Sequence, residues 1–574
     1  MIGLQIKNKK QLVILIALIV LGVAFFGGLY ILKPAAASIP PDAPGEEVDV
    51  TASEEEPPDE RITLITDMLA QIERQEQVDA MLLAELGSGD YTFSEPLVVA
   101  DPYGMSPLSA IVLFTSDEPL RISVHVPGKT SLTDVDFTFE RFNTTHLIPI
   151  YGLYPDELNA VELTATTQTG ITSETTFEIK TEPLPTQLAQ YIIITDLVRP
   201  SSYQPGFNFT YVRKSAFDAE GDFRWFYSDF MTQQTVLYEY NGNFVMTKGK
   251  FHEGDALIFE VNPLGKVLSV YYSPYGVHHD VVAIDGKNLL VSGSYGETVE
   301  DFIYEIDMDT GIITNTLDLK EILQRNRITA HQYYSTSDWF HHNATVYSDG
   351  HIVISGRHQS TVARISWPDG KLDWILSDHE GWNPMFQKHL LNPVGGEFEW
   401  SYAQHAPEIL PDYDNNPDTI DILLFDNGSI ISEQDRINTG TEIDGDDTSA
   451  ELYSRMVHYR INQRTRTVEQ VFQWGKELGD IYYCTQRGSA YLLDNGNFLG
   501  TFDRVVSDHG GDFNTNFVEV DSSGNIVWEA YATGRDKVGK FPAYRSVRLP
   551  LYTAAANDLQ IGVPARVFIP EGLR

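Results

Sequence analysis

Residues 241–271 read NGNFVMTKGKFHEGDALIFEVNPLGKVLSVY, and they contain the two motifs whose repetition decides the fold. The first motif is a turn followed by a strand that often ends in an aromatic residue, as in GKVLSVY at 265–271. The second is a tight polar turn that leads into an apolar strand, as in NGNFVM at 241–246. Apolar, β-branched and aromatic residues bounded by Gly, Asn or Asp turns are typical of short β-strands.

Both motifs recur along the chain and alternate with each other. Copies of the first motif are GDFRWFY (221–227), GKVLSVY (265–271), GIITNTL (311–317), GKLDWIL (370–376), TVEQVFQW (467–474) and GNIVWEA (524–530). Copies of the second are NGNFVM (241–246), DGKNLLV (285–291), DGHIVI (349–354) and DNGNFLG (494–500), with degenerate forms at IDILLFDNG (420–428) and YRSVRL (544–549). The first copies are about 45 residues apart, which is the length of a four-stranded propeller blade. Six alternating pairs therefore predict an all-β chain with a six-bladed β-propeller over residues 186–574.

A small β domain is predicted before the repeats, over residues 91–185. Its β-prone runs are Ala110–Phe114, Arg121–Val126, His146–Ile150, Val161–Thr167 and Thr175–Lys180. Turn residues separate these runs at intervals typical of a β-sandwich. Before them, residues 61–90 show the apolar spacing of an amphipathic helix, which we expect to serve in packing or in formation of a homodimer.

The N-terminus predicts the compartment. Residues 12–32 read LVILIALIVLGVAFFGGLYIL, a run of 21 uncharged residues that would span about 31 Å as a helix, enough to cross a bilayer. Because three lysines precede this run, we expect residues 1–11 to form a cytoplasmic tail and the rest of the chain to be periplasmic or on the cell surface. The Pro-rich, acidic residues 33–60 then form a tether. Cleavage as a signal peptide after the alanines at 35–37 remains the alternative.

Composition excludes several classes of function. The 574 residues include 81 Asp and Glu but only 40 Lys and Arg, which gives a net charge of −41. Such a surface repels phosphate backbones, so nucleic-acid binding is not expected. Cys484 is the one cysteine, which excludes an intrachain disulfide and a cysteine zinc cluster. The acidic stretch Asp412–Asp447 is either a solvated loop or a calcium site.

Histidines are concentrated where the predicted blades would meet. Eleven of the 15 histidines lie between His252 and His405, and three groups of them open successive apolar strands: HHD at 278–280, HHN at 341–343, and His405 in AQH. Equivalent blade positions converge on the central channel of a propeller. Arg357, in SGRHQS, is expected to reach the same region. Imidazoles and a guanidinium in a water-poor funnel favour binding of a tetrahedral oxyanion. Alternatively, each histidine only satisfies hydrogen bonds at a strand end.

The same segments resemble a known family. The motifs are DWFHHN (338–343), SGRHQS (355–360), HHD (278–280), the AQH of His405, and the terminal YRSVRLPLY (544–552). In this order they resemble the bacterial aryl-sulfate sulfotransferases that work without a nucleotide sulfate donor. The segment DPYGMSPLSAIVLF (101–114) is similar to that family's small N-terminal β-sandwich. The resemblance extends from about Tyr91 to the C-terminus.

The resemblance implies a reaction and a set of site residues. Family members move a sulfuryl group from a phenolic sulfate to another phenol by a ping-pong mechanism through a sulfated histidine, with no cofactor and no metal. The residues that match by position are His405 as the nucleophile, His341, His279, His278 and Arg357 as further catalytic residues, and Asn343 and Ser489 as substrate-binding residues. The HHD motif leaves open which of its two histidines lines the site.

Two other classes of function compete with this interpretation. A non-catalytic, surface-binding propeller would fit the anchor and the acidic surface. A metal- or quinone-dependent propeller oxidoreductase would also cluster histidines, but it predicts a metal where Arg357 indicates an anion. A sulfotransferase that uses a nucleotide donor would need a phosphate-binding loop such as G-x-x-x-x-G-K-[ST], which the sequence lacks.

Overall fold

The structure is a computed structural model. It describes residues 60–229, 237–252, 254–327, 335–428, 453–506, 513–535 and 541–574. The predicted tail and anchor, the tether up to residue 59, and much of the acidic stretch at 412–447 lie outside these ranges. Within the described ranges, no helix is long and apolar enough to cross a membrane.

A 28-residue helix, α1 (Glu60–Gly87), comes first. Its apolar stripe is buried against the rest of the chain through Ile65, Met68, Ile72, Leu82 and Leu86. Polar groups fix its register. Gln75 hydrogen-bonds to both the N–H and the C=O of Val267, and Asp79 forms an ion pair of 2.6 Å with Lys266. The sequence left packing and homodimer formation open as roles of this helix. In the structure, its apolar face packs against the rest of the described chain.

The strand-rich region after α1 is organised by one long strand. Its members are β1 (Leu97–Ala100), β2 (Ala110–Val126), β3 (Val135–Thr138), β4 (Asn143–Ile150), β5 (Leu158–Thr167) and β6 (Thr172–Lys180). The first half of β2 pairs with β1 and β4, and its second half pairs with β3 and β5. The register shifts between Thr115 and Leu120, where Pro119 cannot donate to the ladder. This change of register lets β2 pair with both groups of strands. The short helix α2 (Thr186–Ala189) follows.

Six sheets, each with four antiparallel strands at its centre, make up the remainder of the described chain. The strands of the first three sheets are β8 (Phe207–Thr210), β9 (Ser215–Phe217), β10 (Phe223–Phe226) and β32 (Ser546–Leu549) in sheet 1; β11 (Leu237–Tyr240), β12 (Asn243–Gly249), β13 (Ala256–Val261), β14 (Val267–Ser273) and β33 (Arg566–Phe568) in sheet 2; and β15 (Val281–Ile284), β16 (Asn288–Tyr295), β17 (Thr298–Asp307) and β18 (Ile313–Asp318) in sheet 3.

The last three sheets repeat the pattern. Their strands are β19 (His342–Ser348), β20 (His351–Gly356), β21 (Thr361–Ser366) and β22 (Leu372–Leu376) in sheet 4; β24 (His405–Ile409), β25 (Thr419–Asp426), β26 (Arg455–Asn462), β27 (Thr467–Trp474) and the short β23 (Asn392–Pro393) in sheet 5; and β28 (Ser489–Leu492), β29 (Phe498–Val506), β30 (Phe513–Val520), β31 (Ile526–Gly534) and β7 (Tyr191–Asp196) in sheet 6. The predicted all-β class is confirmed, with α1 as the one long helix of the described residues.

Successive sheets contact each other in a cycle. The first strands of sheets 2 to 6 touch in order, and β32 of sheet 1 touches β29 of sheet 6. The ring of Phe244 in sheet 2 lies 4.8 Å from that of Trp225 in sheet 1. Sheet 1 itself joins an early and a late segment of the repeat region, because β32 pairs with β8. This is the topology typical of propeller blades.

The core lies between the faces of neighbouring sheets. Successive residues of a strand point to opposite faces, so Ile354 packs towards sheet 3 whereas its neighbour Val353 packs towards sheet 5. Both faces of the sheet are therefore buried. A strand buried on both faces needs a continuous apolar run, which is why the second motif reads as HIVI or NLLV without alternation.

Candidate active site

A cavity of about 260 Å³ lies beside the starts of several first strands. Its walls are formed by Val212, Phe251, His252, His279, Glu300, Asp338, His341, Arg357, His405, Gln486, Arg487 and Tyr544. Four of the residues named from the sequence are among them: His279, His341, Arg357 and His405. These four residues are up to 126 positions apart in the chain, and the structure brings them together.

Left-handed turns aim four of these side chains into the cavity. His279, His341, Arg487 and Tyr544 have φ of 53°, 53°, 68° and 65°, and each lies one or two residues before the strand that follows it. A residue other than glycine in this conformation costs about 1–3 kcal/mol, so the surrounding packing must hold it there. Such strain is concentrated at functional sites in proteins. Sheets 1, 3, 4 and 6 therefore each supply an equivalent, inward-pointing position.

His405 is held in one tautomer. The side-chain N–H groups of Asn427 donate to the carbonyl oxygens of Cys484 and Arg487, both at 2.9 Å, which leaves its Oδ1 facing His405 Nδ1 at 2.7 Å. Because an amide oxygen only accepts, Nδ1 carries the ring proton. Nε2 is then a lone pair, and it accepts the backbone N–H of Arg487 at 3.2 Å. Nε2 is therefore the basic, nucleophilic nitrogen of His405.

The surroundings keep His405 uncharged. Burial lowers its pKa well below the usual value, and the positive charges of Arg357 and His341 lower it further, against the opposing effect of the hydrogen bond that Nδ1–H donates to Asn427. A neutral imidazole at neutral pH is what nucleophilic attack requires.

His341 has the opposite character. Burial would lower its pKa, but the carboxylates of Glu300 and Asp338 outweigh that effect and raise the pKa to about 9. Its Nδ1 lies 2.8 Å from Glu300 and 2.7 Å from Asp338. In turn, burial opposes ionisation of Glu300, yet His341 and His279 hold the pKa of Glu300 well below its usual value. The cavity therefore contains an imidazolium at neutral pH.

His279 is engaged through both ring nitrogens. Nε2 lies 3.2 Å from Glu300, and Nδ1 lies 2.9 Å from the hydroxyl of Tyr544, whose ring stacks on the imidazole. Burial lowers the pKa of His279, so the ring is neutral, with Nε2–H donating to the carboxylate and Nδ1 accepting from Tyr544. A chain of three groups thus runs from the cavity wall to a buried carboxylate.

Cationic groups surround the nucleophile. Arg357 and Arg487 line the cavity, and Arg487 donates to Asp503 at 3.4 Å. Nearby, burial lowers the pKa of Arg504, and the charges of Arg487 and Arg357 add to that effect. Together with His341, these guanidinium groups make a site that favours an anion although the chain as a whole is strongly acidic.

Three residues named from the sequence lie away from the cavity wall. His278 is fully buried and its Nε2 donates to the carbonyl of Gly293 at 2.7 Å. Asn343 is also fully buried and donates to the carbonyl of Gln404, so it supports the turn before His405. Ser489 faces Ser546, whose N–H it accepts at 3.4 Å. Of the two histidines in the HHD motif, only His279 lines the cavity. His279 is the one that adopts the left-handed turn.

Sequence reasoning missed other groups of the site. Arg487 and Tyr544 each lie two residues before a strand, as His279 does. This equivalent position in the repeat is the sequence signal that could have identified them. Glu300 and Asn427 carried no local signal. Glu300 lies inside β17, and Asn427 follows β25, which pairs with the strand of His405. Their roles come from contacts that only the packed sheets create.

Two groups of side chains have the composition of metal ligands. One is His278, His279 and Glu300, and the other is Asp338, His341 and His358. In each group, one potential ligand atom from every residue lies within 4.8 Å of the others.

Comparison with known families agrees with this geometry. A family model described as "Arylsulfotransferase (ASST)" matches residues 206–545, which is more than half of the chain. A second model, "Arylsulfotransferase Ig-like domain", matches residues 97–182. The second match covers β1 to β6 and supports the predicted sandwich.

Curated relatives point the same way. Over 519 residues the chain is 22% identical to "Arylsulfate sulfotransferase AssT" of Lelliottia amnigena, with 67% of this chain and 81% of the relative covered. It is also 22% identical, over 537 residues, to the protein of the same name from Escherichia coli O6:H1, with 70% and 84% covered.

Solved structures are more distant. "Dihydro-heme d1 dehydrogenase NirN in complex with DHE" has a TM-score of 0.27 at 11% identity, covering 76% of this chain and 78% of that chain. A putative 6-phosphogluconolactonase from Bacteroides uniformis has a TM-score of 0.30 at 9% identity, covering 76% and 98%. Similarity at this level supports no conclusion about function.

Proposed function

Because the chain belongs to the arylsulfotransferase family, we propose that this aryl-sulfate sulfotransferase transfers the sulfuryl group from a phenolic sulfate ester to a phenol through a sulfated His405. One observation carries the proposal. Asn427 fixes the His405 tautomer so that Nε2 carries the lone pair, and His405 lines a cavity that also contains His341 as a cation together with Arg357 and Arg487. The proposed frame is a six-bladed propeller formed by the six sheets.

In the first half-reaction, Nε2 of His405 releases the N–H of Arg487 and attacks the sulfur of the donor. The new N–S bond forms as the S–O bond to the phenol breaks, and the phenolate leaves with the bonding pair. A phenolate is a good leaving group because phenols have a pKa of about 10, and it takes its proton from water. The positive charge that develops on the His405 ring is stabilised by its Nδ1–H bond to Asn427. Arg357, Arg487 and His341 bind the sulfuryl oxygens, where charge concentrates in the transition state.

In the second half-reaction, an acceptor phenol attacks the sulfur of sulfated His405. Its proton passes to the Tyr544 oxygen while the Tyr544 proton moves to His279 Nδ1, 2.9 Å away. The resulting His279 imidazolium is stabilised by Glu300. The N–S bond breaks, and its electron pair returns to Nε2 of His405. Tyr544 and His279 act as one base, which is later deprotonated by solvent.

The compartment is part of the proposal. We place the catalytic region outside the cytoplasm, carried on the apolar segment 12–32, as the lysines before that segment indicate. Small phenolic sulfates and phenols are the proposed partners. The cavity of about 260 Å³ is of a size to hold one such aromatic molecule and a sulfuryl group.

The test measures release of 4-nitrophenol from 4-nitrophenyl sulfate by the full-length chain in mild detergent, with and without added phenol and with no cofactor. We expect His405→Ala to lower phenol-dependent release by about 10³-fold or more, as is usual when a nucleophile is removed. His389→Ala serves as the matched control because His389 lies in a short 3-10 helix outside the cavity.

A second measurement identifies the intermediate. After donor is added without acceptor, intact mass spectrometry should show a gain of one SO₃ group, lost again when phenol is added and absent in His405→Ala. Steady release that needs no acceptor would contradict the transfer mechanism and indicate a sulfatase. No release from any of several aryl sulfates would favour the surface-binding propeller.

A further inference from the structure

His278 has a nitrogen that neither the fold nor the proposed reaction uses. Its Nε2 carries the ring proton, because it lies 2.7 Å from the carbonyl oxygen of Gly293, which can only accept. Nδ1 is therefore a bare lone pair. That atom is buried, and no described residue forms a hydrogen bond with it. A buried, unpaired acceptor is unfavourable, so the atom needs a functional explanation.

Two potential ligands lie near the His278 side chain. One atom from each of His278, His279 and Glu300 lies within 4.8 Å of the others. Since Nε2 of His278 is occupied by Gly293, Nδ1 is the atom that His278 can offer. His279 Nε2 and a Glu300 oxygen are already 3.2 Å apart. That separation is close to the ligand–ligand edge of about 3.3 Å in a tetrahedral zinc site with bonds of about 2.0–2.1 Å.

The groups behind these ligands are those of a metal site. Metal-binding histidines usually donate their other ring N–H to a carbonyl or a similar acceptor, which fixes the ring. His278 does this with Gly293, and Nδ1 of His279 faces the Tyr544 oxygen. Glu300 accepts from His341, which orients the carboxylate. An entry path exists because His279 and Glu300 line the cavity.

We propose that His278, His279 and Glu300 bind one divalent transition-metal ion of the zinc class at the edge of the cavity, with His278 behind the wall. Two histidines and a glutamate form an open three-ligand set, whose fourth position is free for a water or an anion from the cavity. Asp338, His341 and His358 form a weaker candidate, because the His341 nitrogen there already holds a proton between two carboxylates.

Occupancy of this site changes the groups next to it. The ion takes the place of the proton between His279 Nε2 and Glu300. The displaced proton moves to Nδ1, which then donates to the Tyr544 oxygen. The ion also adds positive charge beside the cavity.

Binding is tested by titrating the metal-free, full-length chain in detergent with ZnCl₂ by isothermal calorimetry. We expect one saturable site in the wild type, and affinities at least about 10–100-fold weaker in His278→Ala and in Glu300→Gln. Asp338→Asn is the matched control because it alters the neighbouring cluster, and it should bind zinc as the wild type does. No sulfate donor is present, so the outcome is independent of the transfer mechanism.

Cobalt provides a second readout that does not depend on activity. Co²⁺ in a four-coordinate site absorbs strongly in the visible, and the His278→Gln variant, which keeps a donor for Gly293, should lose this band. Near-ultraviolet circular dichroism of each variant shows whether it is folded. Absence of saturable binding would overturn the proposal. Unchanged binding in folded His278→Ala and Glu300→Gln would place the ion elsewhere and overturn the proposal. Loss of binding in Asp338→Asn instead would do the same.

Discussion

At the scale of single residues, the partners of a histidine decide what the histidine does. His405 and His341 have the same side chain in the same cavity, but one faces an amide oxygen and two cations whereas the other faces two carboxylates. The first is therefore a neutral nucleophile, and the second is a cation that binds an anion. Glu300 makes the larger of the two carboxylate contributions to the charge of His341.

The pH dependence follows from these charges. His405 must be neutral, and its pKa lies well below the usual value, so acid inactivation begins well below pH 6.5. His341 must be protonated, and its pKa of about 9 means that this cation is present below pH 9 and lost as the pH rises through 9. We expect the burst of 4-nitrophenol without acceptor to be fast between about pH 6.5 and 9 and slower above it. A burst rate that still rises beyond pH 10 would contradict this assignment of His341.

Removal of the Glu300 charge should move the alkaline limit. Glu300→Gln takes away the carboxylate that raises the His341 pKa, so we expect the limit to shift from about pH 9 towards neutrality. Stopped-flow burst rates over pH 6–10 measure the shift. Glu297→Gln is the matched control, because Glu297 is exposed and lies outside the cavity. An unchanged profile in Glu300→Gln would show that Glu300 does not set the charge of His341.

At the scale of elements, short turns before the first strands carry the site. Four of these turns pass through a left-handed conformation at the residue whose side chain points inward, and the packing beneath them must be tight. Gly356, at the end of β20, shows how tight this packing is. A Cβ at this position would lie 2.3 Å from the ring of Phe340, the residue before His341.

Substitution of this glycine should affect both stability and catalysis. In Gly356→Ala the Phe340 ring must shift, and overpacking of a core typically lowers the free energy of unfolding by about 1–3 kcal/mol. Because Phe340 precedes His341, the rate of sulfuryl transfer should fall as well. Gly396→Ala is the control, since nothing lies within 4 Å of its added methyl group. Denaturant unfolding followed by tryptophan fluorescence measures the difference, and equal stability of the two variants would contradict the packing argument.

At the scale of the whole molecule, the two ends of the described chain are fastened to the sheets. The last strand, β33, pairs with β14 of sheet 2, and α1 is held by a buried ion pair between Asp79 and Lys266. Lys266 also donates to the carbonyls of Gln560 and Val563, and Asp79 accepts the N–H of Gly562. One buried lysine thus joins the first helix, sheet 2 and the C-terminal segment.

Loss of this lysine should destabilise the fold without altering the chemistry. Lys266→Met leaves the Asp79 carboxylate buried without its partner, which typically costs about 3–5 kcal/mol. The double variant Asp79→Leu/Lys266→Met removes both charges and should recover part of that loss. Thermal unfolding compares the three proteins. Equal unfolding temperatures of the single and double variants would show that the ion pair contributes nothing specific to stability. The activity of the folded fraction should stay at the wild-type level in both variants.

The sequence alone was enough to predict the strands and the cluster of candidate catalytic side chains. Blade-length repeats, apolar runs bounded by turn residues, and the HHD, HHN and AQH motifs are local features, so they predicted the β class and four residues of the cavity wall. The same features could not separate His278 from His279. That choice depends on which of two adjacent residues adopts a left-handed turn, and the backbone angle is set by packing.

The tertiary structure alone decided the charges and the supporting groups. Glu300 lies 41 positions before His341, Asn427 lies 22 after His405, and Tyr544 lies 265 after His279, yet each pair is in hydrogen-bond contact. A repeat predicts that equivalent positions converge, but not which partners face each other across the cavity. The pKa of a buried group depends on those partners and on its loss of water, both of which exist only once the sheets have packed.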